Sequence, residues 1–359
     1  MAGVMRFLTR TAGGQDGRRI GVTDVLAYGY LILGVLLILV PVSWTFLSSV
    51  KPREAIEAFD TRLLPLDQIE AEVDGRGLRP LYAWDDPRTE GQPVVKVGPT
   101  RALTDVARID RPEEVLQAPR GELVALEEVR IATENYLDPI LQRGGQRNFA
   151  FFRYLGNTVF VTVVATLITL LINSMAAFAL SKYEFRGRMT FTLLIVATLL
   201  IPSTIILVSL FFVVWSMGIF GSLWGVIIPA AATPTGVFLL RQYMLTIPDE
   251  LLEAARMDAA SEWKIYWRIV LPLSLPALSV LAILSVIWRW NDFLWPLIVL
   301  ISDPTRHTLQ IGLTAFSGEF SSSTHYILAM TVVSLIPVTL VFVYLQRFIT
   351  TGIATTGLK

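Results

Sequence analysis

Long apolar stretches separated by short polar links dominate this chain. Crossing the hydrocarbon of a bilayer takes about 20 mostly apolar residues. Six stretches meet or approach that length: Val25–Leu47, Asn157–Leu180, Met189–Trp215, Leu223–Leu240, Leu275–Ile301 and Ile327–Leu345. The pattern predicts an all-α polytopic membrane protein with six transmembrane helices. Arg18 and Arg19 precede the first stretch as in a signal peptide. Its apolar run exceeds the about 7–15 residues of such a segment and no small-residue cleavage pattern follows at once, so it reads as an uncleaved anchor. Pro41, Pro202, Pro229, Pro234, Pro296 and Pro337 sit in or beside the stretches. Each removes a backbone donor, which fits either ordinary membrane-helix usage or hinges around a pathway. Ser174, Ala177 and Ser181 recur at helical spacing and allow close helix contact.

One segment breaks the pattern. Residues 51–150 hold 33 of the 60 charged residues, and Pro52, Pro65, Pro80, Pro87, Pro93, Pro99, Pro112 and Pro119 exclude long helices from most of it. Val94–Val97 and Leu123–Ile131 alternate in a way that suits strands. A loop this long without regular structure is uncommon, so a small extracytoplasmic insertion, mostly β or irregular, is expected. It reads either as a solvated insertion or as a docking surface for an external partner. The organisation is thus 1–50 for the N-terminus and first helix, 51–150 for the insertion, and 151–359 for a core of five transmembrane helices.

Lys/Arg placement orients the chain. Arg6, Arg10, Arg18 and Arg19, then Lys182, Arg186 and Arg188, then Arg241, Arg256, Lys264 and Arg268, then Arg347 and Lys359 all fall on one side of six spans. Residues 216–222 on the other side have no basic residue and 302–326 have only Arg306. Both termini are therefore expected in the cytoplasm and the 51–150 segment outside. A formal net charge of +0 and 53% hydrophobic residues exclude a disordered or nucleic-acid-binding chain. With no cysteine and only His307 and His325, which fall in an outer link and read as solvated, a thiolate or multi-histidine metal site is not expected.

The link at 241–274 carries the most chemistry. Pro248 and Asp249 suit a helix start, and Asp249, Glu250 and Glu253 favour its positive end. Leu251, Ala254, Ala255 and Asp258 share a face, where two alanines admit a partner backbone. Ser261 suits the N-cap of a second helix bearing Trp263, Tyr266, Trp267 and Ile269. By physics alone this is equally an amphipathic pair lying on the membrane surface.

Glu253, Ala254 and Ala255, followed at fixed spacing by Ala259, Ile269, Leu271 and Pro272, resemble the EAA signature of permease subunits in binding-protein-dependent ABC importers. That signature has glycine where this chain has Ala259. The resemblance extends over Asn157–Lys359, through Tyr183–Arg188, Phe238–Gln242, Trp290–Leu297 and Gln346–Phe348. It points to the sugar-transporting branch, close to the maltose-type second permease subunit, with longer alpha-glucoside-type relatives closer to the inserted segment. The resemblance implies the type I ABC importer permease fold in a bacterial inner membrane. It makes the segment around Glu253–Asp258 a coupling helix seated in a cleft on an ATPase. It also implies a second homologous permease subunit, two ATP-binding subunits, an extracytoplasmic solute-binding protein and a sugar substrate. ATP and magnesium would bind the partner, with no cofactor on this chain; no G-x-x-x-x-G-K-[ST] phosphate loop occurs in it. Alanine disfavours left-handed backbone by roughly 1 kcal/mol or more, so Ala259 is expected at negative φ, with the reversal carried by residues up to Ser261.

Within the fifth stretch, Trp288, Arg289, Trp290, Asn291 and Asp292 place two charges in the bilayer, where charge is costly. Arg289 and Asp292 at i and i+3 are expected to pair on one helix face. They read either as an internal pair within an aromatic belt or, with Asn291, as a cavity wall where Trp288, Trp290 and Trp295 stack on sugar. A proton-coupled secondary transporter using Arg289 and Asp292, or an ABC permease for peptides or amino acids, are the competing functions. Glu253 and Asp258 have no nearby histidine or nucleophile, so no enzymatic triad is expected.

Overall fold

The computed structural model describes residues 22–58, 60–73, 77–99, 102–143, 149–317 and 323–356. Arg6, Arg10, Arg18, Arg19 and Lys359 lie outside the described residues. The chain divides into two compact units, Met1–Lys51 with Thr61–Val129, and Pro52–Asp60 with Arg130–Lys359. The boundary thus falls at Val129, some twenty residues before the one expected from charge density, because the segment that follows packs with the helical unit.

In the first unit, α1 (Val22–Ser49) is a single apolar helix. Five strands follow one antiparallel path: β2 (Glu70–Glu72), β3 (Leu78–Ala83), β4 (Val94–Lys96), β5 (Leu103–Arg108) and β6 (Val115–Pro119). β7 (Val124–Ala125) pairs with β3, and β1 (Leu66–Gln68) pairs separately with β8 (Glu127–Val129). Both segments expected to be strands contain them. Successive strand residues face opposite sides, so Val94 joins a core with Trp84, Val106 and Ala118 while Val95 joins one with Val73 and Leu81.

The second unit begins with α2 (Arg53–Glu57) and α3 (Glu134–Leu141), which pack on the last helix. Its centre is α4 (Phe151–Lys182), 32 residues long. After α4 come α5 (Arg188–Thr198), α6 (Ser203–Ser216), α7 (Leu223–Ile227), α8 (Pro234–Met244), α9 (Glu250–Met257), α10 (Glu262–Ile265), a π-helical turn at Tyr266–Val270, and α11 (Leu271–Leu273). α12 (Leu275–Trp290), α13 (Leu294–Leu300), α14 (Leu309–Leu313) and α15 (Thr324–Thr356) complete it. α4 packs against α7, α8, α12 and α14, and α12 against α15. Ser174, Ala177 and Ser181 are all buried, as their size and spacing suggest.

Among the described residues three helices are long and apolar enough to cross a membrane, within α1, α4 and α15, and two bent pairs raise the number to five. Of the six stretches expected to span, three thus hold a single long helix, and the other three are interrupted. The third stretch bends by 106° between α5 and α6. There the last turn tightens to i→i+3 bonds and Pro202 offers no donor to continue it. The fourth, Leu223–Leu240, is two short helices separated by Ile228–Thr233. Thr233 is extended (φ −118, ψ 125) ahead of Pro234, which disfavours helix at the residue before it and suits a first helical position. The fifth ends at Trp290 and restarts at Leu294, with Pro296 in the new first turn, where its missing N–H costs nothing. The restart of α8 also rests on Gly236. A Cβ there would lie 2.1 Å from Asn173 Nδ2, and Asn173 accepts from the Thr233 N–H and donates to its hydroxyl.

Candidate functional site

α9 begins after Pro248, with three carboxylates in or beside its first turn, where the helix dipole favours them. One face is anchored. Leu252 is buried with Met244, Ile265 and Tyr266, and Ala255 packs on the same cluster. The opposite face presents Glu253, Ala254, Met257 and Asp258 to the exterior, Met257 at 87% exposure. Glu253 and Ala254 are thus available to a partner, whereas Ala255 is a packing residue. Ser261 accepts from the Lys264 N–H and caps α10. Ile269 lies half-buried in the π-helical turn, and Leu271 and exposed Pro272 open α11. Pro272 lacks the N–H that would close an α-turn on the Arg268 carbonyl, which accounts for the wider turn before it. A 76° bend then leads into α12.

Ala259 corrects the expectation of negative φ: it sits at φ 55, in the left-handed region. The reason is hydrogen bonding at the end of α9. Ala260 N–H donates to the Ala255 carbonyl and Ala259 N–H to the Arg256 carbonyl, both at 3.0 Å, the 6→1 and 5→2 pair of a Schellman motif. Two satisfied carbonyls and the packing of Ala255 and Ala260 on the core outweigh the alanine penalty. Ala259→Gly is accordingly expected to stabilise the chain by about 0.5–1 kcal/mol, and Ala259→Val to destabilise it by more than that. Thermal unfolding of the purified protein in detergent checks both; a lower midpoint for Ala259→Gly contradicts the strain argument.

Deeper in the helical unit, Arg289 does not pair with Asp292. α12 stops at Trp290, so the i, i+3 spacing no longer places the two on one helix, and no ion pair joins them among the described residues. The guanidinium instead donates to Ser285 Oγ (2.9 Å), Thr169 Oγ1 (2.7 Å) and the Ala230 carbonyl (2.6 Å). Ala230 lies in the break between α7 and α8, so Arg289 satisfies a carbonyl that the interrupted helix leaves without a helical donor. Of the three tryptophans offered for sugar stacking, Trp290 and Trp295 are buried and donate to the Ser334 and Gly225 carbonyls. Only Trp288 is exposed, at 45%, with exposed Asn291 and half-buried Asp292 nearby in sequence. His325 is buried, at 6% exposure, with its ring 4.1 Å from that of Tyr326, so it is not solvated as expected.

Residues 170–355, just over half of the chain, match the family described as "Binding-protein-dependent transport system inner membrane component". The chain belongs to this family. It is a transport permease component, not an enzyme. The permease is 37% identical over 209 residues, 58% of its length and 75% of the relative's, to the "Arabinooligosaccharides transport system permease protein AraQ" of Halalkalibacterium halodurans. It is 33% identical over 228 residues, 62% of its length and 80% of the relative's, to the "sn-glycerol-3-phosphate transport system permease protein UgpE" of Brucella abortus. Its fold is like a chain in the crystal structure of a bacterial ABC transporter involved in import of the acidic polysaccharide alginate. That likeness has TM-score 0.62 at 22% identity, over 93% of the permease and 99% of that chain.

Sequence reasoning missed how the permease holds its EAA segment. Lys182 and Tyr183, where α4 ends, reach the residues flanking α9. Lys182 Nζ donates to Asp249 Oδ1 (2.6 Å) and to the Ile247 carbonyl, and Tyr183 O–H donates to Glu262 Oε2 (2.6 Å). Arg256 Nε donates to the same Glu262 carboxylate at 2.8 Å. Burial and the bond to Glu262 push the Tyr183 hydroxyl up to about 12, which extends the pH range over which it remains a donor. Arg188 and Arg241 donate to the Leu180 carbonyl, with Arg188 also reaching Ser181, and complete the end of α4. The arginines stand in the Tyr183–Arg188 and Phe238–Gln242 stretches that carried the family resemblance, which gives those stretches a structural role.

Proposed function

We propose that the permease is one of two related membrane subunits of an ATP-driven ABC importer for sugars or sugar derivatives, in a bacterial inner membrane. It alternates access to a central pathway in step with ATP hydrolysis on a partner. Both termini and the 241–274 link face the cytoplasm, and the β-rich segment faces outward, where it meets an extracytoplasmic solute-binding protein. Six membrane crossings accommodate this orientation, with the fourth built from α7, α8 and the break between them. Two ATP-binding subunits carry ATP and magnesium. α9 docks on one of them through Glu253, Ala254 and Asp258.

The observation that carries this reading is the exposed, acidic, small-residue face of α9, fixed by a Schellman turn in a member of this transport family. The names of the relatives support the substrate class: arabino-oligosaccharides and sn-glycerol-3-phosphate favour sugars and sugar derivatives over a narrower maltose assignment. A proton relay through Arg289 and Asp292 has no support in their geometry.

The deciding experiment is a ligand screen on the cognate binding protein, followed by uptake in proteoliposomes holding all subunits. Arabino-oligosaccharides, maltodextrins, uronate oligomers, glycerol-3-phosphate, peptides and amino acids form the panel. The expected result is sugar binding and ATP-dependent sugar uptake. Binding of peptides or amino acids alone overturns the substrate class, and uptake driven by a proton gradient without ATP overturns the mechanism.

A further inference from the structure

The two residues where α4 ends bracket α9. Lys182 has a side chain only 2% exposed and carries its ammonium to Asp249 and the Ile247 carbonyl, immediately ahead of the first turn. Tyr183 reaches Glu262, the first residue after the Schellman turn and its cap, and Arg256 closes on that carboxylate from the last turn of α9. Apolar packing through Leu252 and Ala255 is non-directional, so by itself it would let an eight-residue helix roll on its bed. Charge-assisted bonds at both ends remove that freedom, since they are directional and short. A buried ammonium is also costly to strand, which keeps the Lys182 contact closed.

The same helix carries Thr169 and Asn173 two to four turns back from Lys182. Thr169 Oγ1 donates to the Ala230 carbonyl, and Asn173 holds both the N–H and the hydroxyl of Thr233. One rigid element therefore touches both the segment around α9 and the break between α7 and α8.

We propose that Lys182 and Tyr183 are positioning residues that latch α9 to α4, so that a displacement of α9 travels along α4 to the Ile228–Thr233 break. The proposal rests on the reading of α9 as the ATPase-coupling helix. Without the latches the displacement is absorbed at the loops on either side of α9, and the break stays still while ATP is consumed.

The chain has no cysteine, so a single reporter can be placed without background. In the complete importer in nanodiscs, a bimane on Ala232→Cys, an exposed position in the break, reports its environment with and without ATP and vanadate. The latched protein is expected to give a nucleotide-dependent change. Lys182→Met with Tyr183→Phe is expected to shrink that change about fivefold or more while ATP hydrolysis by the assembled complex continues, fivefold being the ratio that even one of the three lost hydrogen bonds corresponds to. A purely structural role would instead lower the yield of complex and leave the signal per assembled complex unchanged, and that result overturns the proposal. So does a latched protein whose break shows no nucleotide response. If the double variant does not assemble, Tyr183→Phe alone decides. It removes one oxygen and leaves the ring against Phe178, 5.2 Å away, and a full signal from it overturns the proposal. Glu253→Ala run in parallel separates the two readings. Loss of signal there with intact signal in the latch variants refutes the latch alone, whereas intact signal in both refutes the latch and also removes the Glu253 carboxylate from the coupling contact.

Discussion

Arg289→Met is expected to lower the unfolding midpoint of the purified permease by roughly 4–8 °C, the equivalent of about 2 kcal/mol for a helical unit of this size. The guanidinium makes three hydrogen bonds, each from a charged donor, and such bonds contribute about 1.5–3 kcal/mol apiece before the cost of burying the charge is subtracted. Part of the loss is offset on site. Thr169 Oγ1 still donates to the Ala230 carbonyl at 3.2 Å, and Ser285 still meets Thr166 at 2.9 Å. What disappears is the cross-link from α12 to the break between α7 and α8. Arg289→Lys keeps the charge but not the planar fork that serves Ser285 and Ala230 together, so it should fall between the two. An Arg289→Met midpoint equal to that of the unsubstituted chain contradicts this account. Equal losses from the methionine and lysine variants would assign the effect to the fork rather than the charge.

The helical character of the chain and its EAA segment were legible because each is local. Apolar length marks a candidate span, and the spacing of Glu253, Ala254, Ala255, Ile269, Leu271 and Pro272 lies within twenty residues. What stayed hidden depends on partners far along the chain or on competition between local terms. Lys182 meets Asp249 across 67 residues and Tyr183 meets Glu262 across 79, and no periodicity encodes either contact. Apolar length also cannot see an interruption. Leu223–Leu240 is apolar enough for one helix, yet Pro229, Pro234 and the Asn173 clamp on Thr233 divide it. Arg289 and Asp292 obeyed a helix-face rule only as long as the helix was assumed to continue past Trp290. At Ala259 the intrinsic preference of alanine points to negative φ, but two backbone hydrogen bonds and core contacts override it, as tertiary context does elsewhere.

Glu253→Ala is expected to cut transport about tenfold or more without reducing the amount of permease in the membrane. Glu253 is exposed and no hydrogen bond or ion pair involving it is formed among the described residues, so removing its carboxylate takes nothing from the fold. On the proposed reading of α9 as the ATPase-docking helix, its worth would lie in a charge-assisted hydrogen bond to a partner arginine or backbone amide, about 1.5–3 kcal/mol, which is roughly a 10- to 100-fold change in an equilibrium. The neighbours sharpen the test because the structure separates their roles. Ala254 faces outward, so Ala254→Leu should block docking while leaving the fold intact. Ala255 faces the core beside Leu252, so Ala255→Leu should destabilise α9 itself. Glycine at either position should be better tolerated than leucine, since close approach is what the small side chains provide. Solute uptake and ATP hydrolysis, measured together on reconstituted importer at matched permease levels, distinguish the cases. Glu253→Ala should hydrolyse ATP with little uptake, Ala254→Leu should lose ATPase association, and Ala255→Leu should lose thermal stability first. Uptake by Glu253→Ala at the unsubstituted rate would remove the carboxylate from the coupling contact and leave the small-residue face alone to make it.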